Sequence, residues 1–211
     1  MVLCYNETNI ANKRITIDMV QLIKCDGKSD KELVRLTLEN PDYFLCLMKN
    51  YEDKIIRYIR RISGVRHEDA EDVCQEVFIK VFKNLNAFDT DLKFSSWVYR
   101  IAHNHVISEF RKYKNRKEQI MSEEEDWQHF VSQIDVEKEV GSVVNKEIVN
   151  KVLAELDIKY REVLVLNFLE GYEYKEISDI LKKPMGTVAT LLNRAKKKFK
   201  QELDKDNIKL N

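Results

Sequence analysis

Helix-breaking residues are scarce in this chain, which holds five glycines and two prolines among 211 residues. Glycine weakens a helix because it is conformationally free, and proline breaks one because it lacks an amide proton. A chain with so few breakers and 34% charged residues is expected to form long amphipathic helices. Its 44% hydrophobic residues suffice for one or two modest cores, so we predict an all-α fold.

Apolar periodicity predicts a first group of helices from Ser29 onward, with Ser29 or Asp30 as a cap. The segments "PDYFLCLMKNYEDKIIRYIRRI", "EDAEDVCQEVFIKVFKNL" and "SSWVYRIAHNHVISEFRKYK" each place apolar residues three and four positions apart. Gly64 is a natural stop for the first of these. Helices of this kind suffice for a small all-α domain.

A second group of helices follows in "KEIVNKVLAEL", "YREVLVLNFLEG", "YKEISDIL" and "MGTVATLLNRAKKKFKQEL". We therefore divide the chain into an extension at 1–28, a helical domain at 29–117, an acidic linker at 118–146 and a helix-turn-helix domain at 147–207. A short helical piece within the linker is expected around 127–134.

Charge is segregated along the chain although 36 Lys and Arg balance 36 Asp and Glu. Residues 109–120 carry five cations and two acids, whereas residues 121–139 carry seven acids and one lysine. A further basic cluster follows near the C-terminus. The pattern fits two polyanion-binding surfaces joined by an acidic connector, and it equally fits three solvated helix faces.

The cysteines are spread without a Cys-x-x-Cys pair, which disfavours a zinc site or a dithiol redox motif. The stretch "MVLCYNETNI" lacks the apolar core of a signal peptide, and no apolar run approaches the roughly 18 residues of a membrane helix. We expect a cytoplasmic protein with reduced thiols at Cys4, Cys25, Cys46 and Cys74.

The C-terminal segments show a short helix, a three-residue turn and a basic second helix, the pattern of a helix-turn-helix. Such a second helix enters the major groove, so polar side chains must face outward to reach base edges. The predicted shared core is Ile177, Ile180, Leu181, Val188 and Leu192. The predicted DNA-reading and phosphate-binding residues are Thr187, Thr190, Asn193, Arg194, Lys197 and Lys198. The alternative is a surface helix whose lysines complement its own dipole.

Two stretches together resemble a known family. "YREVL", "EGYEYKEI" and "PMGTVATLLNRA" look like region 4 of bacterial sigma-70 factors, and "DAEDVCQEVFIK" and "FSSWVYRIAHN" resemble region 2. The order and spacing are similar to the two-domain, extracytoplasmic-function type over about residues 29–207. The resemblance implies a non-enzymatic initiation factor that binds core RNA polymerase, recognises −10-like and −35-like promoter elements and melts DNA.

The resemblance also implies roles for residues of region 2. The face carrying Asp69, Asp72, Gln75 and Glu76 would contact the polymerase β′ coiled coil, with the β flap as a further contact. The −10 element and the melted strand would meet the loop 86–94 and the following helix through Phe88, Trp97, Arg100, Asn104, Arg111 and Lys112. Trp97 fits a core position equally well. The linker would occupy a positively charged polymerase channel, or serve as a solubilising spacer.

Some positions depart from the family pattern. Ala189 and Leu191 replace basic residues, which shifts base reading toward Thr190, Asn193 and Arg194. The turn has Lys182 and Lys183 where glycine is frequent, and Glu173 precedes a helix that Ser or Thr usually caps. These last changes predict a less stable helical pair by about 1 kcal/mol.

Two rival functions remain open on the sequence. One is an autonomous helix-turn-helix regulator, which would not need the acidic "DAEDVCQE" face. The other is a hydrolase or metalloprotein using His103, His105 and Cys74, but residues two apart on a helix point to nearly opposite sides. We expect no metal and no cofactor. Family members are often held by an anti-sigma protein, which this sequence does not identify.

Overall fold

The computed structural model describes the backbone of residues 24–120 and 143–205, and the side chains of residues 24–109 and 148–205. Over these ranges the chain is helical without strands, which confirms the all-α prediction. The helices of the N-terminal half (24–120) are α1 (Asp30–Glu39), α2 (Phe44–Ser63), α3 (His67–Lys83) and α4 (Phe94–Ile120). Those of the C-terminal half (143–205) are α5 (Val143–Glu155), α6 (Ile158–Leu164), α7 (Tyr174–Leu181) and α8 (Met185–Lys205).

The ends of these helices follow from identifiable residues. Ser29 and Glu32 form a capping box at α1, in which the Glu32 amide donates to Ser29 Oγ and the Ser29 amide donates to Glu32 Oε2. Gly64 ends α2 with a left-handed φ of 72°, as the sequence predicts. At α7 the Glu176 carboxylate accepts from the Glu173 amide at 2.9 Å. The helix therefore has a cap from its own first turn, although Glu173 replaces the usual Ser or Thr.

The helix-turn-helix of the C-terminal half is formed as predicted. α7 and α8 are joined by residues 182–184, and the five predicted core residues, Ile177, Ile180, Leu181, Val188 and Leu192, are all buried. α6 continues into a π-helical turn at Val165–Leu169, and Gly171 then reverses the chain with a φ of 74°. This arrangement leaves the outer face of α8 exposed.

The two halves pack against each other. α7 lies on α4, and α6 contacts α2, so that buried side chains of both halves form one continuous apolar cluster. Arg161 of α6 is buried and donates through Nη1 to the Ile62 carbonyl of α2 at 2.9 Å. Most of the predicted acidic linker, and the helical piece expected around 127–134, lie outside the described residues.

The expectation of reduced thiols is wrong for two cysteines. Cys25 and Cys46 form a disulfide, with their Cα atoms 5.5 Å apart. Their separation of 21 residues shows no motif, because the pair meets only when α1 folds back along α2. Cys74 keeps a buried free thiol, and burial together with Glu52 raises its pKa to about 12.

Candidate polymerase and promoter interfaces

One face of α3 presents the predicted acidic contact. Asp72, Gln75 and Glu76 are exposed and share this face by their spacing. Asp69 is half-buried at the start of the helix, where its Oδ2 lies 3.1 Å from Arg66 Nε. The structure therefore brings three of the four predicted residues together in solvent.

Two apolar side chains extend this acidic face, and sequence reasoning missed them. Ile79 is 52% exposed and lies one turn after Gln75. Phe82 is 44% exposed and lies two turns after Gln75, on the same side of α3. By its spacing, Phe82 belongs to the apolar stripe that is expected to face the core. Because Ile79 lies off that stripe, its position was the available signal for an exposed apolar contact. We call Asp72, Gln75, Glu76, Ile79 and Phe82 the α3 face.

A buried histidine supports the α3 face from behind. His105 of α4 has Nε2 2.9 Å from Glu76 Oε2 and Nδ1 2.5 Å from Lys80 Nζ. Burial, followed by the Lys80 charge, lowers the pKa of His105. His103 points the opposite way, with Nδ1 3.1 Å from the Tyr58 hydroxyl. Within the described residues no three His, Cys, Asp or Glu side chains are grouped to hold a metal.

The loop before α4 rests on an aromatic cluster. Phe88 and Trp97 are only 8% and 7% exposed, and their ring centroids lie 5.1 Å apart. Phe94 completes the cluster at 5.4 Å from Phe88 and 5.8 Å from Trp97. Trp97 thus occupies the core position that the sequence left open, and Phe88 lies beside it.

The polar residues predicted for the −10 element lie on the outer side of α4. Asn104 is exposed and Arg100 is half-buried, and their spacing of four places them on one face. The backbone of α4 continues through Arg111 and Lys112, whose side chains are outside the described residues.

The exposed side of α8 carries all six residues predicted for the −35 element: Thr187, Thr190, Asn193, Arg194, Lys197 and Lys198. Thr190 donates its hydroxyl to the Gly186 carbonyl at 2.8 Å. Ala189 and Leu191 are half-buried and leave the outward positions to the polar residues. The geometry fits a helix presented to a DNA groove.

A cleft of about 430 Å³ lies between the two halves. Glu170 bridges it, with Oε1 2.6 Å from Arg61 Nη1 and Oε2 accepting from the Tyr99 hydroxyl at 2.6 Å. Lys93 and Glu176 form a second bridge, Nζ to Oε1, at 2.9 Å. Burial and the nearby Glu170 raise the pKa of Tyr99 far above its ordinary value, so its hydroxyl remains a donor.

Comparison with known families accounts for most of the described helices. The family described as Sigma-70 region 2 matches residues 47–116, and the one described as Sigma-70, region 4 matches residues 146–199. The ECF RNA polymerase sigma factor SigW of Bacillus subtilis is 32% identical over 179 residues, covering 82% of this chain and 95% of that protein. The RNA polymerase sigma-H factor of Pseudomonas aeruginosa is 29% identical over 187 residues, covering 83% and 94%.

Solved structures agree on the fold. CnrH, in complex with the cytosolic domain of CnrY, superposes with a TM-score of 0.63 at 22% identity and covers 85% of this chain and 99% of its own. The sigma factor RpoE of Bartonella quintana, in complex with the anti-sigma factor NepR, gives a TM-score of 0.61 at 18% identity, with coverages of 74% and 94%.

Among the described helices, none combines the length and the apolar character that crossing a bilayer requires.

The family matches favour an initiation factor over an autonomous helix-turn-helix regulator, because region 2 and region 4 occur together and in order. The chain belongs to the extracytoplasmic-function group of the sigma-70 family, whose members bind core RNA polymerase and direct transcription initiation at promoters.

Proposed function

We propose that this chain contacts core polymerase mainly through the α3 face. The observation that carries the proposal is the exposed combination of Asp72, Gln75 and Glu76 with Ile79 and Phe82. Acidic side chains steer a basic partner helix into place, and exposed apolar side chains supply the area that is buried on contact. Asp69, already paired with Arg66, lies at the border of this contact.

The −10 element is assigned to the exposed side of α4. Asn104 is placed to read a base edge, and Arg100 to hold the backbone together with Arg111 and Lys112. Phe88 and Trp97 support the 86–94 loop from within the core, and stacking on a flipped base would require the loop to shift.

The −35 element is assigned to the exposed face of α8. Thr187, Thr190, Asn193 and Arg194 lie toward its N-terminal part, which a helix-turn-helix inserts into the major groove. Asn suits adenine and Arg suits guanine, while Lys197 and Lys198 suit phosphates. The protein acts by binding, in the cytoplasm, without a catalytic step of its own.

The two solved relatives suggest a further partner. Each of those sigma factors is held by another protein in its structure. By analogy we propose that an anti-sigma protein binds this chain before the chain binds core polymerase.

The test is co-purification of the full chain with core RNA polymerase. The variant Asp72→Arg/Glu76→Arg reverses two charges of the α3 face and is expected to weaken binding about a hundredfold, because each new cation meets a basic partner. The matched control Glu39→Arg/Asp42→Arg reverses two exposed acids outside α3 and should bind as wild type does.

Equal loss in both double variants would contradict the assignment of the contact to α3. Failure of the wild type to bind polymerase, with specific duplex binding by the protein alone, would support an autonomous regulator instead.

A further inference from the structure

A stripe of cations runs along the side of α2 that faces the C-terminal half. Lys54, Arg57 and Arg61 are spaced three and four residues apart, which places them on one side of the helix. Lys54 and Arg57 are exposed, and Arg61 is half-buried. Lys93, at the end of the 86–94 loop, lines the same cleft. We call these four residues the basic stripe.

The C-terminal half sets three carboxylates against the basic stripe. Glu170, Glu173 and Glu176 lie in the segment from the π-helical turn into α7, and all three line the cleft. We call them the acidic edge. Glu170 pairs with Arg61 at 2.6 Å, and Glu176 pairs with Lys93 at 2.9 Å.

These ion pairs occupy Arg61 and Lys93, which would otherwise be available to bind a polyanion. A carboxylate as buried as Glu170, with 6% of its side chain exposed, is retained only where cations and donors satisfy it. Lys93 belongs to the loop assigned to the −10 element, and Lys54 and Arg57 continue the positive surface away from that loop. A row of cations along a helix suits the backbone of an extended single strand.

We propose that the basic stripe is an additional binding surface for the phosphate backbone of single-stranded promoter DNA, and that the acidic edge competes with that backbone for the same cations within the free protein. The proposal rests on the proposed function, since the strand in question is the one that passes the 86–94 loop during melting. Lys54, Arg57 and Lys93 are already exposed. Displacing the C-terminal half removes the negative charges beside them, frees Arg61 and Lys93 from their carboxylate partners, and extends the footprint assigned to α4.

The experiment measures binding of the full chain to a labelled single-stranded DNA oligonucleotide of mixed sequence by fluorescence anisotropy, over a series of salt concentrations. Glu170→Gln/Glu173→Gln/Glu176→Gln removes the negative charges and keeps the hydrogen-bonding shape, including the cap of α7. We expect this triple variant to bind about tenfold more tightly than wild type, because the competitor is removed.

Three controls separate local competition from net charge. Glu39→Gln/Asp42→Asn/Glu52→Gln changes net charge equally at exposed positions outside the cleft and should give a much smaller gain. Adding Lys54→Gln/Arg57→Gln to the triple variant should abolish the gain. It should also make the slope of log K against log salt concentration about 1.4 less steep. Each single-strand phosphate that is no longer neutralised accounts for about 0.7 of that slope, and two cations are removed. Adding Lys31→Gln/Arg35→Gln, which removes the same charges from α1, should preserve the gain.

The proposal is overturned if the triple variant binds no more tightly than its charge-matched control, or if the gain survives Lys54→Gln/Arg57→Gln. In that case the bridges only hold the two halves together and do not regulate DNA binding. If the triple variant does not fold, as judged by its thermal transition, Glu173→Gln/Glu176→Gln keeps the Glu170 bridges and should give a smaller gain of the same sign. Binding of wild type to core polymerase is measured in parallel, so that failure of the proposed function is recognised separately.

Discussion

Lys182 has a backbone that a lysine rarely adopts. It ends α7 with a φ of 52°, and among the described residues it alone combines a positive φ with a side chain. Hydrogen bonds satisfy the backbone of Lys183 in this turn. Its amide donates to the Ser178 carbonyl, and Ser178 Oγ donates to the Lys183 carbonyl at 2.6 Å. The left-handed conformation costs a residue with a Cβ roughly 1–2 kcal/mol. The sequence indicated a weaker turn at this point, because Lys182 and Lys183 occupy positions where glycine is frequent.

Lys182→Gly is therefore expected to stabilise the protein. Relief of the left-handed conformation exceeds the added freedom of glycine in the unfolded chain, for a net gain of about 0.5–1 kcal/mol. That gain corresponds to a rise in melting temperature of about 1–4 °C for a chain of this size, measurable by circular dichroism. Gly64→Ala, at the equivalent position after α2, should lower the melting temperature. A melting temperature for Lys182→Gly at or below that of wild type would contradict this account.

At the scale of helices, the sequence predicted what depends on periodicity. The stripes of α2, α3 and α4 repeat at three and four residues, so helix type and most of each buried side followed directly, and Gly64 marked the end of α2. The α3 face was predicted through its polar residues alone, because Phe82 shares the spacing of the core stripe and the off-stripe position of Ile79 was not used. The Cys25–Cys46 pair escaped prediction since it depends on how α1 folds back, which no local pattern records.

The disulfide is expected to hold α1 and α2 together in a redox-dependent way. It closes a loop of 21 residues, and chain-entropy estimates for such loops are about 3 kcal/mol. Reductant should lower the melting temperature of wild type and leave that of Cys25→Ser unchanged. A melting temperature of wild type that is insensitive to reductant, or two free thiols at these positions by alkylation and mass spectrometry, would count against the disulfide.

At the scale of the molecule, the docking of the two halves is the feature that sequence could not supply. It depends on side chains far apart in the chain, namely Arg61 with Glu170 and Lys93 with Glu176. Arg161 adds to it by donating to the Ile62 carbonyl across the interface, and burial lowers its pKa to about 10. In the sequence alone, nothing distinguishes these residues from ordinary charged residues on a protein surface.

Docked halves are too close to occupy both promoter elements at once. Elements named −10 and −35 are separated by about 25 base pairs, or roughly 85 Å of straight duplex at 3.4 Å per base pair. A compact chain of 211 residues has a radius of gyration of about 17 Å and hence a diameter of about 45 Å. Promoter binding as assigned therefore requires the bridges across the cleft to break.

Breaking one bridge in the free protein should open the molecule, and restoring it with exchanged charges should close it. Glu170→Arg places two guanidinium groups together, and the loss of a buried ion-pair partner costs about 3–5 kcal/mol. The radius of gyration from small-angle X-ray scattering should rise by several ångströms above the compact value of about 17 Å. Arg61→Glu/Glu170→Arg re-forms the pair with reversed polarity and should bring the radius back toward that of wild type, whereas Glu39→Arg should leave it unchanged. Identical radii for all four proteins would mean that apolar packing between α4 and α7 holds the halves together without the ionic bridges, and opening would then have to come from polymerase itself.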